Sequence, residues 1–518
     1  MKRTLILHPF IVAVFPALAL YTYNVQELSL SELVLPFAVA LSLASLMLLC
    51  TWLVLRNIHK AALVVSLFLA LLYSTAYIFT LTGWLGVDSP YLGWTLLFII
   101  WVLCYPFLLY LIARTSKVLR YPTIILNVAM VVMLLISVIR VGMYEFQRIG
   151  SGGSLSDSHT DLQLDVSRYE TAPDIYYIVL DRYANVGTLA EVYGFDNSGF
   201  LNQLGAEGFY VANESCANYV RTSESLASSL NMEYIDYMDE TSSDMLPLSE
   251  KLEDHALQRL LKSAGYEFIH VGSWWGPLRE NKYADVNVNY CARTDMFSEY
   301  ILTSNMPYAV SVEAGIIDDL TMRQWKRTRF EFEELARIPE EYKGTPTFTF
   351  AHFMISHTPY TFDRDGSYLS PEEASKKTNR DNYVNALRVT NEMVIELVRD
   401  LKSTSEVPPI IVLQADEGPY PERYLAGDRT FRWAQATDAE LKEKMGILNA
   451  YYLPGVDYNN PRLYPSITPV NSFRMVLDLY FGTDLKKVDD FSYVYANYSR
   501  PYRFLDVTQR LRSSQEDG

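Results

Sequence analysis

Residues 175–181 read Ile-Tyr-Tyr-Ile-Val-Leu-Asp, an apolar run that ends on the carboxylate of Asp181. A short run of β-branched and aromatic residues bounded by polar ones is typical of a buried β-strand. In an open α/β sheet, ligands bind beyond the carboxyl ends of the strands, which is where Asp181 would lie. An aspartate at a strand end caps a turn more often than it binds a ligand, so this run alone predicts a strand and only a candidate site.

A second signal lies in residues 218–231, which read Asn-Tyr-Val-Arg-Thr-Ser-Glu-Ser-Leu-Ala-Ser-Ser-Leu-Asn. Here Thr222 stands in front of a helical pattern. The first turn of a helix has free N–H groups and the positive end of the helix dipole, which together stabilise a bound anion. Thr222 therefore has two interpretations, an ordinary helix N-cap or a hydroxyl placed at an anion site.

Two later segments have the same form, a buried strand that ends on ionisable side chains. One reads Thr-Phe-Thr-Phe-Ala-His-Phe-Met-Ile-Ser-His-Thr-Pro-Tyr and contains His352 and, close to a proline, His357. The other reads Pro-Pro-Ile-Ile-Val-Leu-Gln-Ala-Asp-Glu-Gly-Pro and ends on Asp416 and Glu417. Three strands that deliver such groups to one sheet edge predict a site. We interpret His357 as part of that site and His352 as a packed core histidine.

Helical patterns lie between the strands. They cover Leu189–Leu204, Ser249–Ala264, Pro371–Lys402 and Pro469–Phe481. Strands separated by helices predict one α/β domain with a largely parallel sheet sandwiched by helices. We expect this domain at residues 173–512, after a linker at 150–172 that contains Ser-Gly-Gly-Ser and shows no apolar period.

The first 149 residues differ in composition from the rest. Up to Gly150 there are nine Lys and Arg against four Asp and Glu, a net charge of +5, whereas the remainder has 35 against 56, a net charge of −21. Five apolar runs are long enough for a hydrocarbon core of ~30 Å, which a helix of about 20 residues crosses. They lie near Thr4–Thr22, Leu30–Leu55, Ala61–Trp84, Leu92–Ala113 and Tyr121–Met143. The sequence therefore predicts a five-helix transmembrane bundle over residues 1–149.

The loops between these runs predict the orientation of the bundle. Lys and Arg lie at the N-terminus, between the second and third runs and between the fourth and fifth, whereas the other two loops carry acids and no Lys or Arg. By the positive-inside rule the N-terminus is cytoplasmic, and everything after Gly150 is extracytoplasmic. The protein would thus span a plasma or inner membrane several times. The first run also fits a signal peptide, which would leave the later topology unchanged.

The external part carries two cysteines, Cys216 and Cys291. Oxidising conditions outside the membrane permit a disulfide between them, and two free thiols fit the sequence equally well. The acidic charge of this part argues against nucleic acid as a partner, because phosphate backbones need basic patches.

The order of motifs resembles one known family. A strand-ending Asp is followed by N-Y-x-x-T-x-x-S-L-A-S-x-L-N, H-x-P-Y and D-x-G, as in the sulfatase-like, or alkaline phosphatase, superfamily. The branch that it most resembles is the membrane phosphotransferases typified by lipoteichoic acid synthase. The resemblance spans residues 173–508, and the segment around Thr222 is its most specific part. Cys216 lacks the C-x-P-S-R pattern from which sulfatases make formylglycine, which argues against a sulfate-ester hydrolase.

The resemblance implies a set of site residues. In the synthases, the strand-end carboxylate, the threonine and a D-H pair hold one metal ion, and the threonine becomes transiently phosphorylated. Carried over, Asp181, Thr222, Asp416 and Glu417 would hold one divalent ion, with Thr222 as the nucleophile. His357 would contact the transferred phosphate or its acceptor. A cation also relieves the repulsion among three neighbouring carboxylates.

Glu417 departs from the family, which more often has histidine there. A ligand set made only of oxygen atoms favours Mg²⁺, Mn²⁺ or Ca²⁺ over Zn²⁺. Glu417 could instead cap the turn at Gly418-Pro419, and the departure leaves a catalytically inactive member open. Trp275 and Arg279 resemble only loosely the family's Trp and Arg at the substrate head group.

We therefore expect a membrane-anchored, metal-dependent phosphotransferase. It would move a head group of the phosphoglycerol or phosphoethanolamine type from a membrane lipid to an extracytoplasmic glycan, lipid or polymer. Two alternatives stay open, a hydrolase of phosphate or sulfate esters and a non-catalytic lipid-sensing or scaffold protein with the same fold.

Overall fold

The chain divides into two compact units, each with its own core. One contains Met1–Gly153 with Arg293–Asp318, and the other contains Ser154–Ala292 with Asp319–Gly518. The computed structural model describes residues 4–74, 96–97, 99–116, 119–150, 162–290, 296–303, 306–428, 430–497 and 500–512.

The first unit consists of apolar helices. They span His8–Tyr23, Val34–Leu55, Ile58–Leu72, Tyr105–Arg114 and Arg120–Gly150, with a π-helical turn at Ile100–Cys104, followed later in the chain by Met296–Thr303 and Met306–Glu313. Phe297 of the later segment packs with Tyr21 and Val141 in the core of this unit. The unit is therefore assembled from two distant parts of the sequence.

Two stretches of this unit, Leu30–Leu55 and Arg120–Arg148, are long and apolar enough to cross a membrane, with 26 and 29 residues. Three further helical stretches are apolar but shorter: His8–Tyr23, Ile58–Leu72 and Ile100–Arg114. The predicted runs Ala61–Trp84 and Leu92–Ala113 extend into residues 75–95, which lie outside the described residues. Within the described chain, the structure shows two helices of spanning length where the sequence predicts five.

The second unit is built on a seven-stranded sheet. Its strands are β1 (Ile175–Leu180), β2 (Tyr210–Val211), β3 (Glu267–Val271), β4 (Val286–Val288), β5 (Thr347–Phe353), β6 (Ile410–Gln414) and β7 (Asn449–Tyr452). They lie in the order β2-β7-β6-β1-β5-β3-β4. The pairs β6-β1, β1-β5, β5-β3 and β3-β4 are parallel. Strand β7 runs antiparallel to both of its neighbours, β6 and β2. The sheet is therefore mixed, although the strands that carry the predicted site are parallel.

The second unit also contains helices and a separate hairpin. The helices span Val186–Glu191, Ser198–Ala206, Thr222–Asn231, Leu246–Glu253, Ala256–Ser263, Leu320–Glu341, Pro371–Ser375, Asn379–Thr404, Glu422–Leu425, Asp438–Met445, Pro469–Phe481 and Thr508–Arg512. Strands β8 (Tyr493–Asn497) and β9 (Arg500–Asp506) pair antiparallel outside the main sheet.

Some predicted helices are interrupted. The predicted Pro371–Lys402 helix forms two helices, because Thr378 starts a new one: its hydroxyl oxygen accepts from the N–H of Asp381, whose carboxylate accepts from Thr378 in return. Such a reciprocal cap satisfies N–H groups that a helix start leaves free. The predicted helices Leu189–Leu204 and Ser249–Ala264 also each form two helices, without a reciprocal cap at the second start.

Strand β1 explains why helices cover both faces of the sheet. All of its residues are buried. Tyr176, Ile178 and Leu180 pack into one core cluster, and the residues between them pack into a second. Because successive strand side chains point to opposite faces, an unbroken apolar strand needs an apolar layer on each side. The predicted helix sandwich follows from this run.

Candidate active site

The sheet register brings three predicted strand ends together. Val179 of β1 is paired with His352 of β5 and with Gln414 of β6. Asp181 lies two residues after Val179, and Asp416 lies two residues after Gln414. Since side chains alternate along a strand, both aspartates face the same side of the sheet as Val179 and His352.

Asp181, His352 and Asp416 form a group that could hold a metal ion. Each offers one ligand atom, and these atoms lie within 4.8 Å of one another. All three side chains are buried. Oδ1 of Asp181, both carboxylate oxygens of Asp416 and both ring nitrogens of His352 have no hydrogen-bond partner among the described residues. Because burying polar atoms without partners is costly, the donor set fits a divalent cation.

The pKa values of the two aspartates also indicate a site for a cation. Burial, and then the neighbouring carboxylate of Asp416, raise the pKa of Asp181 to about 8. Burial also disfavours the charged form of Asp416, yet His352 beside it brings the pKa of this carboxyl below its ordinary value. Two carboxylates this close do not both ionise easily without a positive charge between them.

Thr222 is brought to this group by its helix. It is the first residue of the Thr222–Asn231 helix, with Arg221 as the N-cap. The hydroxyl of Ser225 donates to the backbone oxygen of Asp416 at 2.6 Å, which ties the first helical turn to the end of β6. The Thr222 hydroxyl is near enough to the Asp416 carboxylate to help lower its pKa. The predicted nucleophile therefore lies beside the candidate metal group.

Glu417 turns towards other partners. Its Oε1 accepts from Nζ of Lys444 at 2.7 Å and from Nε of Arg182 at 3.2 Å. Its Oε2 is buried and has no partner in the described part of the chain. Burial lowers the pKa of the Lys444 ammonium to about 8, although Glu417 opposes this shift. The structure thus groups His352 with the two aspartates, and a ligand role for Glu417 stays a prediction.

Three residues of this region were missed or misjudged from the sequence. His352 is buried as interpreted, but it faces two carboxylates rather than an apolar core, and only the register of β1 with β5 reveals this. Arg182 directly follows the strand-ending Asp181 and could have been noticed for that reason. Lys444 lies in the Asp438–Met445 helix, and nothing in the local sequence marks it.

His357 follows β5, and the loosely matching residues Trp275 and Arg279 follow the neighbouring strand β3. Nδ1 of His357 contacts the backbone oxygen of Thr358. Burial, with Arg182 nearby, lowers the pKa of His357 to about 3, so its imidazole is neutral near pH 7. Trp275 and Arg279 lie in the turn after β3, the strand next to β5. The role of Trp275 and Arg279 at the substrate head group stays a prediction.

The choice between a Cys216–Cys291 disulfide and two free thiols stays open. Cys216 has no disulfide partner among the described residues. Cys291 lies in residues 291–295, which are outside them. Burial raises the pKa of the Cys216 thiol to about 12.

Gly418 completes the D-x-G motif through a close backbone approach. Its N–H donates to the backbone oxygen of Lys444 at 2.7 Å, and Nζ of Lys444 donates back to the oxygen of Gly418 at 2.9 Å. A Cβ at this position would overlap the backbone oxygen of Glu443 and lie 2.9 Å from that of Lys444. The glycine therefore lets the end of β6 dock against the Asp438–Met445 helix.

The fold and the site define a class of protein. Its members have an α/β domain in which a buried Asp-His-Asp group lies beside a hydroxyl at a helix N-terminus. The chain belongs to the sulfatase family, whose model matches residues 173–451. This confirms the resemblance to the sulfatase-like, or alkaline phosphatase, superfamily and makes the chain a sulfatase-like enzyme.

Several solved structures are similar to the chain. The integral membrane protein lipooligosaccharide phosphoethanolamine transferase A from Neisseria meningitidis is 13% identical, with 93% of this chain and 95% of that chain covered and a TM-score of 0.43. The periplasmic domain of EptC from Escherichia coli, solved with Zn, is 12% identical over 66% of this chain and 96% of its own, with a TM-score of 0.44. The lipoteichoic acid synthase LtaP from Listeria monocytogenes is 14% identical over 69% and 94%, with a TM-score of 0.40. No curated protein matches.

We expect Gly418→Ala to destabilise the protein by about 1–3 kcal/mol, because the new methyl group overlaps backbone atoms that cannot rotate away. Thermal unfolding of the full chain in detergent measures this. Gly199→Ala is the matched control, since a Cβ there meets nothing within 4 Å. An unchanged unfolding temperature for Gly418→Ala would contradict the close approach.

We expect Asp181→Asn, Asp416→Asn and His352→Gln each to lower metal affinity by at least about 10- to 100-fold, the usual effect of losing even an outer partner of a metal site. Elemental analysis of purified full-length protein measures the bound metal and identifies the ion. Asp457→Asn, in an exposed turn, is the control. Equal metal content in all variants would contradict the site, and Glu417→Gln in the same series tests its predicted ligand role.

Proposed function

We propose that the protein is a membrane-anchored, metal-dependent phosphotransferase. It moves a lipid-derived head group of the phosphoglycerol or phosphoethanolamine type to an extracytoplasmic glycan, lipid or polymer. The observation that carries the proposal is the Thr222 hydroxyl at a helix N-terminus beside the buried group of Asp181, His352 and Asp416. Membership of the sulfatase family supports transfer at an ester centre, and the lack of a formylglycine motif at Cys216 favours threonine as the nucleophile.

In the first half of the proposed reaction, the head group is transferred from the lipid to Thr222. A divalent ion at Asp181, His352 and Asp416, with Thr222, would withdraw charge from the phosphoryl group and favour the Thr222 alkoxide. Oγ1 of Thr222 then bonds to phosphorus while the bond to the lipid oxygen breaks, and the lipid alcohol leaves with a proton. The free N–H groups of the first helical turn face the phosphoryl oxygens.

The second half of the reaction returns the nucleophile. The hydroxyl of the acceptor bonds to phosphorus, the bond to Oγ1 breaks, and Thr222 regains its proton. His357, which is neutral near pH 7, is the side chain proposed to steady a phosphoryl oxygen or to relay the acceptor's proton. A hydrolase would differ only in using water as the acceptor.

The identity of the metal ion depends on the ligands. The sequence-based preference for Mg²⁺, Mn²⁺ or Ca²⁺ over Zn²⁺ rested on a set of four oxygen ligands. With His352 the set gains a nitrogen donor, and imidazole suits Zn²⁺ as well as other transition metals. We therefore propose one divalent ion, and metal analysis decides which.

A membrane anchor fits this reaction, because a lipid donor lies in the plane to which the domain is tethered. We propose the predicted arrangement of five crossings, with a cytoplasmic N-terminus and an extracytoplasmic α/β domain. The two helices of spanning length and the three shorter apolar helical stretches support it.

We expect Thr222→Ala to lower head-group transfer from labelled phospholipids by about 10³-fold or more, because the covalent route is lost. Thr222→Ser keeps the hydroxyl and should retain measurable transfer. Intact-mass analysis of the wild type should show a transient form that carries the phosphate with its head group, and Thr222→Ala should lack it. If Thr222→Ala kept more than a few per cent of the activity, Thr222 would be only a helix cap. Release of free head group without an acceptor product would identify a hydrolase.

The proposed topology predicts that a C-terminal tag is cut by protease added outside intact cells or spheroplasts. An N-terminal tag should be cut only after lysis, because it lies in the cytoplasm, and it serves as the control for membrane integrity. A C-terminal tag that survives until lysis would contradict the proposed orientation.

A further inference from the structure

Arg182 is a cation at the edge of the candidate metal group with unused donors. Its Nε lies 3.2 Å from Oε1 of Glu417 and 3.9 Å from Oδ1 of Asp181. Within the described chain, neither of its terminal nitrogens, Nη1 and Nη2, has a hydrogen-bond partner. The side chain is 14% exposed, and neither nitrogen is among the enclosed polar atoms without a partner, so both are open to a ligand. A guanidinium has five N–H donors, and four of them are thus available.

The backbone of Arg182 is held in a costly conformation. Its φ is 60°, in the left-handed region, which is unfavourable for a residue with a Cβ. The hydroxyl of Tyr383 donates to the backbone oxygen of Arg182 at 2.7 Å and accepts from the N–H of Ala184 at 3.2 Å. The turn after β1 is therefore pinned to the Asn379–Thr404 helix. Strain that specific contacts maintain at the end of a site strand points to a functional role.

Glu417, Lys444 and Tyr420 fix the position of the guanidinium. Nζ of Lys444 donates to Glu417 and to the backbone oxygen of Gly418, and it lies 3.5 Å from the ring centroid of Tyr420. Its three donors are thus engaged. The guanidinium carbon of Arg182 lies 4.4 Å from the centroid of the same ring. Lys444 therefore neutralises and anchors Glu417, and Glu417 in turn holds Arg182.

The arginine that precedes the nucleophile is engaged elsewhere. A terminal nitrogen of Arg221 lies 3.6 Å from Glu224, and its guanidinium carbon lies 3.9 Å from the ring centroid of Tyr495. Arg182 differs because only its Nε is engaged, which leaves the edge formed by Nη1 and Nη2. Two parallel N–H groups on one edge match two oxygens of a phosphate group.

We propose that Arg182 is a substrate-binding residue that holds two non-bridging oxygens of the phosphoryl group through Nη1 and Nη2. Glu417 is a positioning residue that acts through Nε of Arg182. A phosphodiester has two non-bridging oxygens, the number that this edge holds, so the arrangement fits phosphodiester head groups. This inference rests on the proposed function, because it assumes that a phosphoryl group binds at the candidate metal group.

The test measures binding of inorganic phosphate to the metal-loaded full chain in detergent by titration calorimetry. Arg182→Gln should bind phosphate about 10- to 100-fold more weakly, the usual loss for a charge-assisted bidentate contact. Arg182→Lys keeps the charge but lacks the two parallel N–H groups, so its phosphate affinity should be intermediate. This variant also provides the test if Arg182→Gln does not fold. Arg399→Gln is the control, because Arg399 is 60% exposed and pairs with Glu207.

The role of Glu417 is tested in the same assay. Glu417→Gln should weaken phosphate binding while the metal content stays that of the wild type. Combined with Arg182→Gln it should add little further loss, because both changes remove the same contact. A loss of metal in Glu417→Gln, or fully additive effects, would overturn the positioning role.

The outcomes separate this inference from the proposed function. If wild type binds no phosphate, or if Arg182→Gln binds it as tightly as wild type at equal metal content, Arg182 does not hold the phosphoryl group, and head-group transfer can still be demonstrated. If phosphate binding depends on Arg182 but no transfer and no phosphorylated Thr222 are found, the inference stands and the proposed function fails.

Discussion

Two buried carboxylates set the conditions for the rest of the site. Asp181 and Asp416 lie side by side because β1 and β6 are parallel neighbours in a fixed register. Burying such a pair without a cation is costly, so the surrounding structure is arranged around positive charge and hydrogen-bond donors. His352 faces the pair from β5, and the first turn of the Thr222 helix approaches from above the same face. Sheet pairing thus positions the candidate metal group, and a helix docked against the end of β6 positions the predicted nucleophile Thr222.

The exchange of histidine for glutamate in the D-x-G motif is coupled to another part of the chain. Glu417 adds a negative charge where the resemblance predicts histidine, and Lys444 lies against it in the fully buried interior. Truncating one partner of such a pair leaves an uncompensated charge, whereas changing both can be tolerated. Glu417 and Lys444 therefore form one unit, although they are far apart in the sequence.

The sequence predicted the elements whose patterns are local. The run of β1, the strand ends at Asp181 and Asp416, and the Pro469–Phe481 helix with both of its bounds are present. The direction of β7 was not predictable, because a short strand takes its orientation from its partners. His352 required the register between β1 and β5, and Lys444 required the docking of a helix against Gly418. What escaped the sequence was pairing between distant segments, which periodicity does not encode.

The division of the chain limits how the protein can be dissected. The polypeptide leaves the α/β unit after β4, contributes Arg293–Asp318 to the other unit, and then returns. A recombinant fragment that starts after the apolar helices would carry this excursion without the unit to which it belongs. Phe297, which is buried in the core of the first unit, would then be exposed and could associate between molecules. Replacing the excursion by a short polar linker is therefore the rational route to a soluble form.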